Sequence, residues 1–275
     1  MTTTSNAFDP ETFLAHARAS LSAPLAPKLP FGIPALDDAL CGGIAAGALA
    51  VLVAPPRHFT TTFLIDACCR WAAAGQKVLF ITASTAKETF ARLSAHQQFQ
   101  VTNKVHPAIK HQPVEQDIAV IASLAGLVKV VSFADSGAAM ESALAAAIEE
   151  PSAVVLLDGV EREELRGLRQ FARDYKIRVV AAHTLLPHGH YQLHGPFENP
   201  DARAMDFADE GGVGYAASVV LALQRVEDSS QADMQYRSMR LHLAAAREGG
   251  EPVTIPMFVI PGSCRFVEDK REVSP

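Results

Sequence analysis

The stretch from Val51 to Phe63, VLVAPPRHFTTTF, restricts the folds open to this chain more than any other part of the sequence. The apolar run 48–53 has the residues of a buried strand, and a helical pattern over Thr61 to Ala74 begins a few residues later. Further apolar runs alternate with helical patterns along the rest of the chain. Strands and helices that alternate at this spacing predict an α/β protein with a mostly parallel sheet and right-handed crossovers.

The loop inside this stretch lies where a phosphate-binding loop would lie, between a strand and the start of a helix. The pattern of such a loop is G-x-x-x-x-G-K-[ST], and only its last position, Thr61, keeps the expected type. Ala54 and Phe59 replace the two glycines, and Thr60 replaces the Lys. The prolines at 55–56 remove two N–H donors. Loss of the Lys removes a charged donor worth about 1.5–3 kcal/mol per hydrogen bond, so the sequence predicts a degenerate loop.

Two other residues could belong to a nucleotide site. Arg57 is the cation of the loop and could replace the missing Lys, although the sequence leaves the direction of its side chain open. Asp158 ends the apolar run 153–158, and ligands bind at the carboxyl ends of strands in open parallel sheets. A buried strand that ends in Asp is common, so this observation alone has low specificity.

The residues before the loop carry the strongest resemblance to a known family. Residues 31–49 read FGIPALDDALCGGIAAGAL, and the positions that match the family pattern are Gly32, Leu36, Asp37, Gly42, Gly43 and Gly47. This segment resembles the one that precedes the P-loop in RecA-superfamily ATPases, especially in DnaB-type replicative helicases. Residues 218–225, 239–249 and 253–267 resemble the C-terminal strands of the same family. The resemblance therefore covers about residues 30–268.

This resemblance implies a RecA-like, three-layer α/β/α fold with a mostly parallel central sheet and a C-terminal antiparallel hairpin. It implies that residues 31–268 form the core. Residues 1–30 are then an N-terminal arm with a helix and a Pro-rich linker, and residues 269–275 are a flexible tail.

Several positions that carry chemistry in the DnaB-type family differ in this chain. In that family a Glu after the second strand activates water, a Gln senses the γ-phosphate, and a K-x-R finger reaches the γ-phosphate of the neighbouring subunit. The corresponding residues here are Ala83, Thr184, and Ala245 with Arg247, so only the Arg of the finger is kept. Together with the altered loop, these differences imply a pseudo-ATPase rather than an enzyme, with no catalytic residue.

The resemblance also implies a relict nucleotide site, made of Arg57, Thr60, Thr61, Asp158, Thr184 and Arg247. In the family the Asp holds the water shell of Mg²⁺. No cofactor is expected here, although weak binding of ATP and Mg²⁺ remains open. No metal site is predicted either, because the spacing of His188, His190 and His194 does not match a usual zinc pattern.

The N-terminal arm carries a predicted amphipathic helix. Asp9 and Pro10 suit its N-cap and first turn. Its apolar side is made of Phe13, Leu14, Ala17 and Leu21. A helix at this place in the DnaB-type family docks on the neighbouring subunit, which predicts a protein partner, either a second copy or an active RecA-like ATPase. Folding of the arm onto its own domain is equally compatible with the sequence.

Charge and composition exclude several other roles. The net charge is −6, and in the predicted loop 185–217 the acidic residues outnumber a single Arg, with no Lys. Weak or no DNA binding by the isolated protein is therefore expected. The four cysteines form no C-x-x-C pair, which favours a reducing cytoplasm. No apolar run approaches the roughly 20 residues that a membrane span needs.

These features favour a non-hydrolysing subunit with a binding, accessory or regulatory role. By analogy of fold alone, the resemblance suggests DNA replication, recombination or a plasmid or phage system. Two alternatives stay open: a divergent but active ATP-dependent DNA helicase or NTPase, and a scaffold subunit of an assembly unrelated to DNA.

Overall fold

The computed structural model describes residues 27–102, 124, 126–133, 144–145, 148, 153–185, 196–199, 201–209, 212–226 and 236–269. Several predicted features lie outside these residues. They are Phe13, Leu14, Ala17 and Leu21 of the arm, and His188, His190 and His194.

The described residues form one sheet of nine strands. The strands are β1 (Leu49–Ala54), β2 (Val78–Thr82), β3 (Val128–Ser132), β4 (Val154–Asp158), β5 (Arg178–Thr184), β6 (Val219–Arg225), β7 (Arg237–Ala246), β8 (Val253–Ile260) and β9 (Arg265–Glu268). Their order across the sheet is β3-β2-β4-β5-β1-β6-β7-β8-β9. The first six pair in parallel and the last three antiparallel. The predicted sheet and C-terminal hairpin are confirmed, and β7 links the hairpin to β6.

Strand β1 lies near the middle of this sheet, and each of its six residues is 0% exposed. Leu49, Val51 and Val53 pack in one apolar cluster, whereas Ala50 and Leu52 pack in another. Successive side chains of a strand point to opposite faces, so the two clusters lie on the two faces of the sheet. A parallel strand that is covered on both faces is apolar along its whole length, which explains the run of apolar residues here.

In the described residues, the two faces are covered by the helices α1 (Pro34–Ala39), α2 (Thr60–Ala73), α3 (Ala86–Thr102) and α4 (Leu165–Tyr175). The first three contribute buried side chains such as Leu36, Leu64 and Leu93 to the cluster that contains Leu52. Helix α4 contributes Leu168 to the opposite cluster. The three-layer α/β/α architecture is therefore confirmed. Within the described part of the chain, no helix combines the length and the apolarity needed to cross a membrane.

Helix α2 begins and ends one residue earlier than the sequence predicts, and a glycine follows its C-cap residue, Ala74. Gly75 has a φ of 75°, and its N–H donates to the carbonyl of Ala72 at 2.9 Å. The N–H of Gln76 donates to the carbonyl of Trp71 at 2.9 Å. These two hydrogen bonds form a Schellman motif, which uses a left-handed residue to satisfy the last carbonyls of a helix.

A buried polar group joins α2 to its neighbours. The Asp66 carboxylate, 2% exposed, accepts hydrogen bonds from Arg70 Nε at 2.8 Å and from the ring Nε2 of His96 on α3 at 2.7 Å. The Arg70 guanidinium also donates to the carbonyl of Phe266 on β9 at 2.7 Å. Because buried carboxylates are tolerated only when hydrogen-bonded, this group fixes how α2, α3 and β9 meet.

The segment that leads into β1 is held by Asp37, one of the residues that carry the family resemblance. Its carboxylate accepts the N–H groups of Phe31 at 2.6 Å and Gly32 at 2.8 Å. Burial raises the pKa of Asp37, and these backbone hydrogen bonds oppose that shift. The residue therefore has a structural role in closing the turn before α1.

Two stretches that the sequence analysis assigned to the linker and the tail contact the core. The N–H of Leu29 donates to the carbonyl of Ile44, and the N–H of Ile44 donates back, each at 2.8 Å. The Arg178 guanidinium donates to the carbonyl of Pro27 at 2.6 Å. At the other end, the N–H of Asp269 donates to the carbonyl of Pro256 at 2.8 Å.

We expect Gly43→Ala to destabilise the fold by at least about 2 kcal/mol, because Gly43 has a φ of 114° and a Cβ there would overlap the Leu29 carbonyl and come within 2.7 Å of Pro30 Cα. Gly167→Ala is the matched control. Gly167 lies inside α4 with nothing within 4 Å of its Cβ position, so this change should stabilise by about 0.5–1 kcal/mol. Urea unfolding of both variants measures these differences, and equal stabilities would contradict the account.

Candidate nucleotide site

The parallel strands bring several predicted site residues to one edge of the sheet. Thr82 at the end of β2 is the register partner of Asp158 at the end of β4. Thr184 at the end of β5 is the partner of Ala54 at the end of β1. The loop 55–59 leaves β1 at the same edge and leads into α2. This is the edge at which open α/β sheets bind ligands.

Asp158 is the centre of a hydrogen-bonded group at this edge. The Thr61 hydroxyl lies 3.0 Å from both carboxylate oxygens, and the Thr82 hydroxyl lies 3.3 Å from Oδ2. Since a hydroxyl has one hydrogen, Thr61 can donate to only one oxygen at a time. Burial raises the pKa of the Asp158 carboxyl, while the hydrogen bonds from Thr61 and Thr82 and the charge of Arg92 oppose the shift.

The loop before α2 adopts a backbone that usually requires glycine. Arg57 has a φ of 67° and Phe59 has a φ of 65°, both in the left-handed region. A non-glycine residue in this region is uncommon and costs about 1–2 kcal/mol. The Phe59 carbonyl accepts the N–H of Phe63 at 2.9 Å, so the strained residue is also the N-cap of α2. Two residues of this loop are therefore left-handed, and neither is glycine.

The Phe59 ring turns toward the protein interior. It is half-buried and packs against the apolar cluster on the α2 face of the sheet. His58, next to it, is also half-buried, and its ring meets the Phe197 ring edge-on at 6.5 Å between centroids. Burial lowers the pKa of His58, and the nearby charge of Arg225 lowers it further. The loop is thus fixed by packing on both sides.

The other predicted residues of this edge lie as follows. Arg57 is exposed and has no hydrogen-bond partner in the part of the chain that the structure describes. Thr60 is the first residue of α2 and is half-buried, as is Thr184. Ala83, at the position of the family's catalytic Glu, is exposed next to Gly159. A short methyl group therefore stands where the resemblance implies a general base.

Arg247 lies away from these residues. It follows β7, whose last residue, Ala246, is paired with Val219 at the amino end of β6. Since β6 is parallel to β1, Arg247 lies at the edge opposite to Asp158. Its guanidinium donates to the carbonyls of Gly214, Tyr215 and Ala217, at 2.7, 3.1 and 2.9 Å. The structure brings together the other predicted site residues but not this one.

Sequence reasoning missed Thr82 and His58 as members of this edge. Thr82 ends an apolar strand, and the sequence does not indicate that its hydroxyl will face the Asp158 carboxylate at the end of β4. His58 lay inside the loop that was aligned to the P-loop pattern, where the pattern accepts any residue. The register between β2 and β4 would have identified Thr82, but a single sequence does not give registers.

The residues of this edge do not fit a tightly bound nucleoside triphosphate. Pro55 and Pro56 have no N–H, and the N–H of His58 is already donated to the Pro55 carbonyl at 3.3 Å. The described residues contain no cluster of His, Cys, Asp or Glu suited to a metal ion. The feature that remains favourable is the amino end of α2, where free N–H groups attract anions. No hydrolytic step follows from this arrangement.

No protein-family model and no curated protein matches the chain. Solved structures do match. One is an ATPase domain that superposes with a TM-score of 0.67 at 15% identity, and the match covers 97% of this chain and 100% of that one. Another is a DnaB-like replicative helicase, solved for its interactions with primase, which superposes with a TM-score of 0.65 at 16% identity, covering 94% of this chain and 68% of that one. At such identities the likeness concerns the fold: the chain has the RecA-like fold of DnaB-type helicase ATPase domains.

Proposed function

We propose that this protein is a pseudo-ATPase with a DnaB-type core, which acts by binding another protein as an accessory or regulatory subunit. One observation carries the proposal. Asp158 and Thr61, which keep their family types, are hydrogen-bonded to each other in a site whose Lys and Glu positions are Thr60 and Ala83. The fold of the ATPase is retained without the charged groups that its chemistry needs.

The physical argument concerns charge. Phosphoryl transfer is catalysed mainly by positioning and by electrostatic stabilisation of the transferred group. Thr60 supplies no positive charge to the phosphates, and Ala83 cannot orient or activate water. The ordinary hydrogen bonds of Thr61 and Thr82 satisfy Asp158 without a metal ion. These residues support a site that needs no nucleotide to keep its structure.

A protein partner follows from the same reasoning. RecA-like proteins usually join head to tail with nucleotide at the junction, and here nucleotide cannot supply the contact. The arm with Phe13, Leu14, Ala17 and Leu21 then becomes the candidate for docking on a second copy or on an active ATPase of the same fold. One structural neighbour is a DnaB-like helicase described with primase, which makes replication a reasonable process in which to seek the partner.

A divergent but active NTPase is the second candidate, and one observation favours it. Phe59, at the position of the second loop glycine, has a left-handed backbone, and Arg57 is exposed just before the amino end of α2. An arginine there could contact a phosphate on the helix terminus. Nucleotide binding measurements separate this candidate from the proposal.

We expect no ATP turnover and at best weak binding of Mg-ATP by the natural chain. The variant Phe59→Gly/Thr60→Lys should bind at least about tenfold more tightly, because a charged hydrogen bond contributes about 1.5–3 kcal/mol and each 1.4 kcal/mol is a factor of ten. Isothermal calorimetry measures both affinities. Ala73→Lys adds the same charge at the far end of α2 and should change nothing. Micromolar binding by the natural chain, with turnover that Asp158→Ala abolishes, would establish the NTPase instead.

Asp158→Asn should stabilise the protein at neutral pH. Burial raises the pKa of Asp158 in the folded state, so the protonated carboxyl favours folding at low pH. This contribution to the free energy of unfolding is lost as the pH rises through the folded-state pKa. The charged carboxylate then costs stability that Asn avoids, so the advantage of Asn should grow from pH 4 to pH 7. Urea unfolding at several pH values measures it. Asp174→Asn, at an exposed position on α4, is the control, and a gain that is the same at every pH would contradict the prediction.

The arm should mediate assembly. We expect light scattering to give the full chain a mass above that of a monomer, alone or with an active DnaB-type ATPase added, and a chain that starts at Lys28 to remain monomeric. Burial of the apolar side of the arm, at about 25 cal/mol per Å², is the driving force. Leu14→Asp with Leu21→Asp should reproduce the truncation. If both chains are monomeric and neither binds the added ATPase, the proposed assembly is wrong.

A further inference from the structure

One side of α4 carries a row of arginines. Arg166, Arg169 and Arg173 are spaced by three and four residues, which places them along one side of α4. Arg162 lies four residues before Arg166, in the 3-10 turn Arg162–Glu164 that leads into the helix. We call these four residues the arginine row. At 1.5 Å per residue, the part of the row on α4 extends over roughly 10 Å. Three of its members are exposed and Arg169 is half-buried, while Leu165, Leu168 and Ala172 bury the adjacent side of α4 against the sheet.

The positive charge of this row is not neutralised in the part of the chain that the structure describes. The ion pairs found there involve Asp66 on α2, and none joins the arginine row to a carboxylate. Nearby acids are used elsewhere: Glu164 Oε2 accepts the N–H of Glu161 at 2.8 Å, and Asp174 accepts hydrogen bonds from Gln170. Like charges at helical i, i+4 spacing repel each other, so an acidic partner would relieve a cost that the free protein bears.

A fixed aromatic residue stands beside the row. Tyr215 is 82% exposed, yet its backbone carbonyl accepts hydrogen bonds from Arg169 Nη1 at 3.0 Å and from Arg247 Nη2 at 3.1 Å. Arg162 lies against Gly212, where a Cβ would overlap its guanidinium. The turn at 212–216 is therefore held in place, while the Tyr215 ring remains free to make contacts. A surface that is ordered before binding loses less entropy when a partner docks.

Three arginines of the row and the turn at 212–216 border a cleft of about 530 Å³, lined by Arg162, Glu163, Arg166, Arg169, Gly212, Tyr215 and Ala216. Arginine and tyrosine, with tryptophan, are enriched among the residues that dominate protein–protein affinity. We infer that this cleft and the arginine row are a docking surface for an acidic segment of a partner protein. The partner places carboxylates against the row and an apolar residue against Tyr215.

Charge distribution favours an acidic peptide over nucleic acid. Glu163 lines the cleft, and the Asp209 carboxylate lies beside Gly214 in the adjoining turn. A nucleic-acid backbone carries charge at every unit and would be repelled at these points. A peptide can present a neutral or basic side chain opposite Glu163 and carboxylates elsewhere. The helical spacing of the row matches carboxylates at the same spacing on a partner helix.

The surface is separate from the relict nucleotide site, since none of the predicted residues at the Asp158 edge lines the cleft. Its occupation therefore does not depend on whether nucleotide binds. The proposal also does not require the N-terminal arm, which uses apolar rather than charged contacts. An experiment can therefore refute this docking surface without refuting the proposed function, and the reverse.

The test uses fluorescence anisotropy with the full chain and three labelled probes. The first probe is a 16-residue Ala-based helical peptide with Glu at positions 2, 6, 9 and 13 and a Leu beside them. The second is the same peptide with Gln in place of each Glu. The third is a 15-nucleotide oligothymidine. We expect the Glu peptide to bind at least about tenfold more tightly than the Gln peptide, with binding that weakens as salt is added. The oligonucleotide should bind more weakly than the Glu peptide.

Charge-reversal variants locate the binding. Arg166→Glu/Arg173→Glu should weaken Glu-peptide binding at least about tenfold, and Tyr215→Ala should weaken it a few-fold. The matched control, Lys77→Glu/Lys87→Glu, makes the same change in net charge at exposed positions outside the row and should leave binding unchanged. Unfolding curves verify that each variant is folded. Equal binding of the Glu and Gln peptides, equal effects of the two charge reversals, or tighter binding of the oligonucleotide would overturn the proposal.

Discussion

The hydrogen bonding of β1 along both of its edges is the constraint on which the rest of the structure depends. Its partners are β5 and β6, and all six of its residues are excluded from solvent. Buried N–H and carbonyl groups must be paired, so any shift of β1 along either neighbour would leave several groups without partners. The register therefore fixes where the loop 55–59 begins and where α2 starts.

The residues that carry the family resemblance are mainly the ones that hold this arrangement. Asp37 closes the turn before α1, and Gly43 allows the close approach of the segment at Leu29. Two positions that differ from the family pattern contribute little to the core, since Ala83 is exposed and Thr60 is half-buried. Each buried apolar group contributes in proportion to the area it removes from water, whereas a catalytic side chain at the sheet edge contributes little. Fold and chemistry can therefore diverge independently.

The sequence was sufficient for the strands and insufficient for the contacts between them. The apolar runs 48–53 and 153–158 predicted β1 and β4 to within about one residue, because buried parallel strands are formed by a small set of apolar residue types. The sequence also identified Asp158 at the end of β4. It could not show that Thr82 faces Asp158, since that contact depends on register, nor that Arg57 and Phe59 take left-handed conformations, since propensity argues against both.

Arg247, which the resemblance aligns with an arginine finger, has a structural role within this chain. In the DnaB-type family the corresponding Arg reaches the γ-phosphate of a neighbour, and here Arg247 and Asp158 lie at opposite edges of the sheet, so one chain cannot bring them together. Its guanidinium already donates to three carbonyls of the turn 214–217. Reaching a neighbour would leave those carbonyls without their donor and release the turn that presents Tyr215. An arginine finger would donate its hydrogen bonds to a phosphate in the transition state. Arg247 donates them to the turn 214–217 and so holds the surface that contains Tyr215.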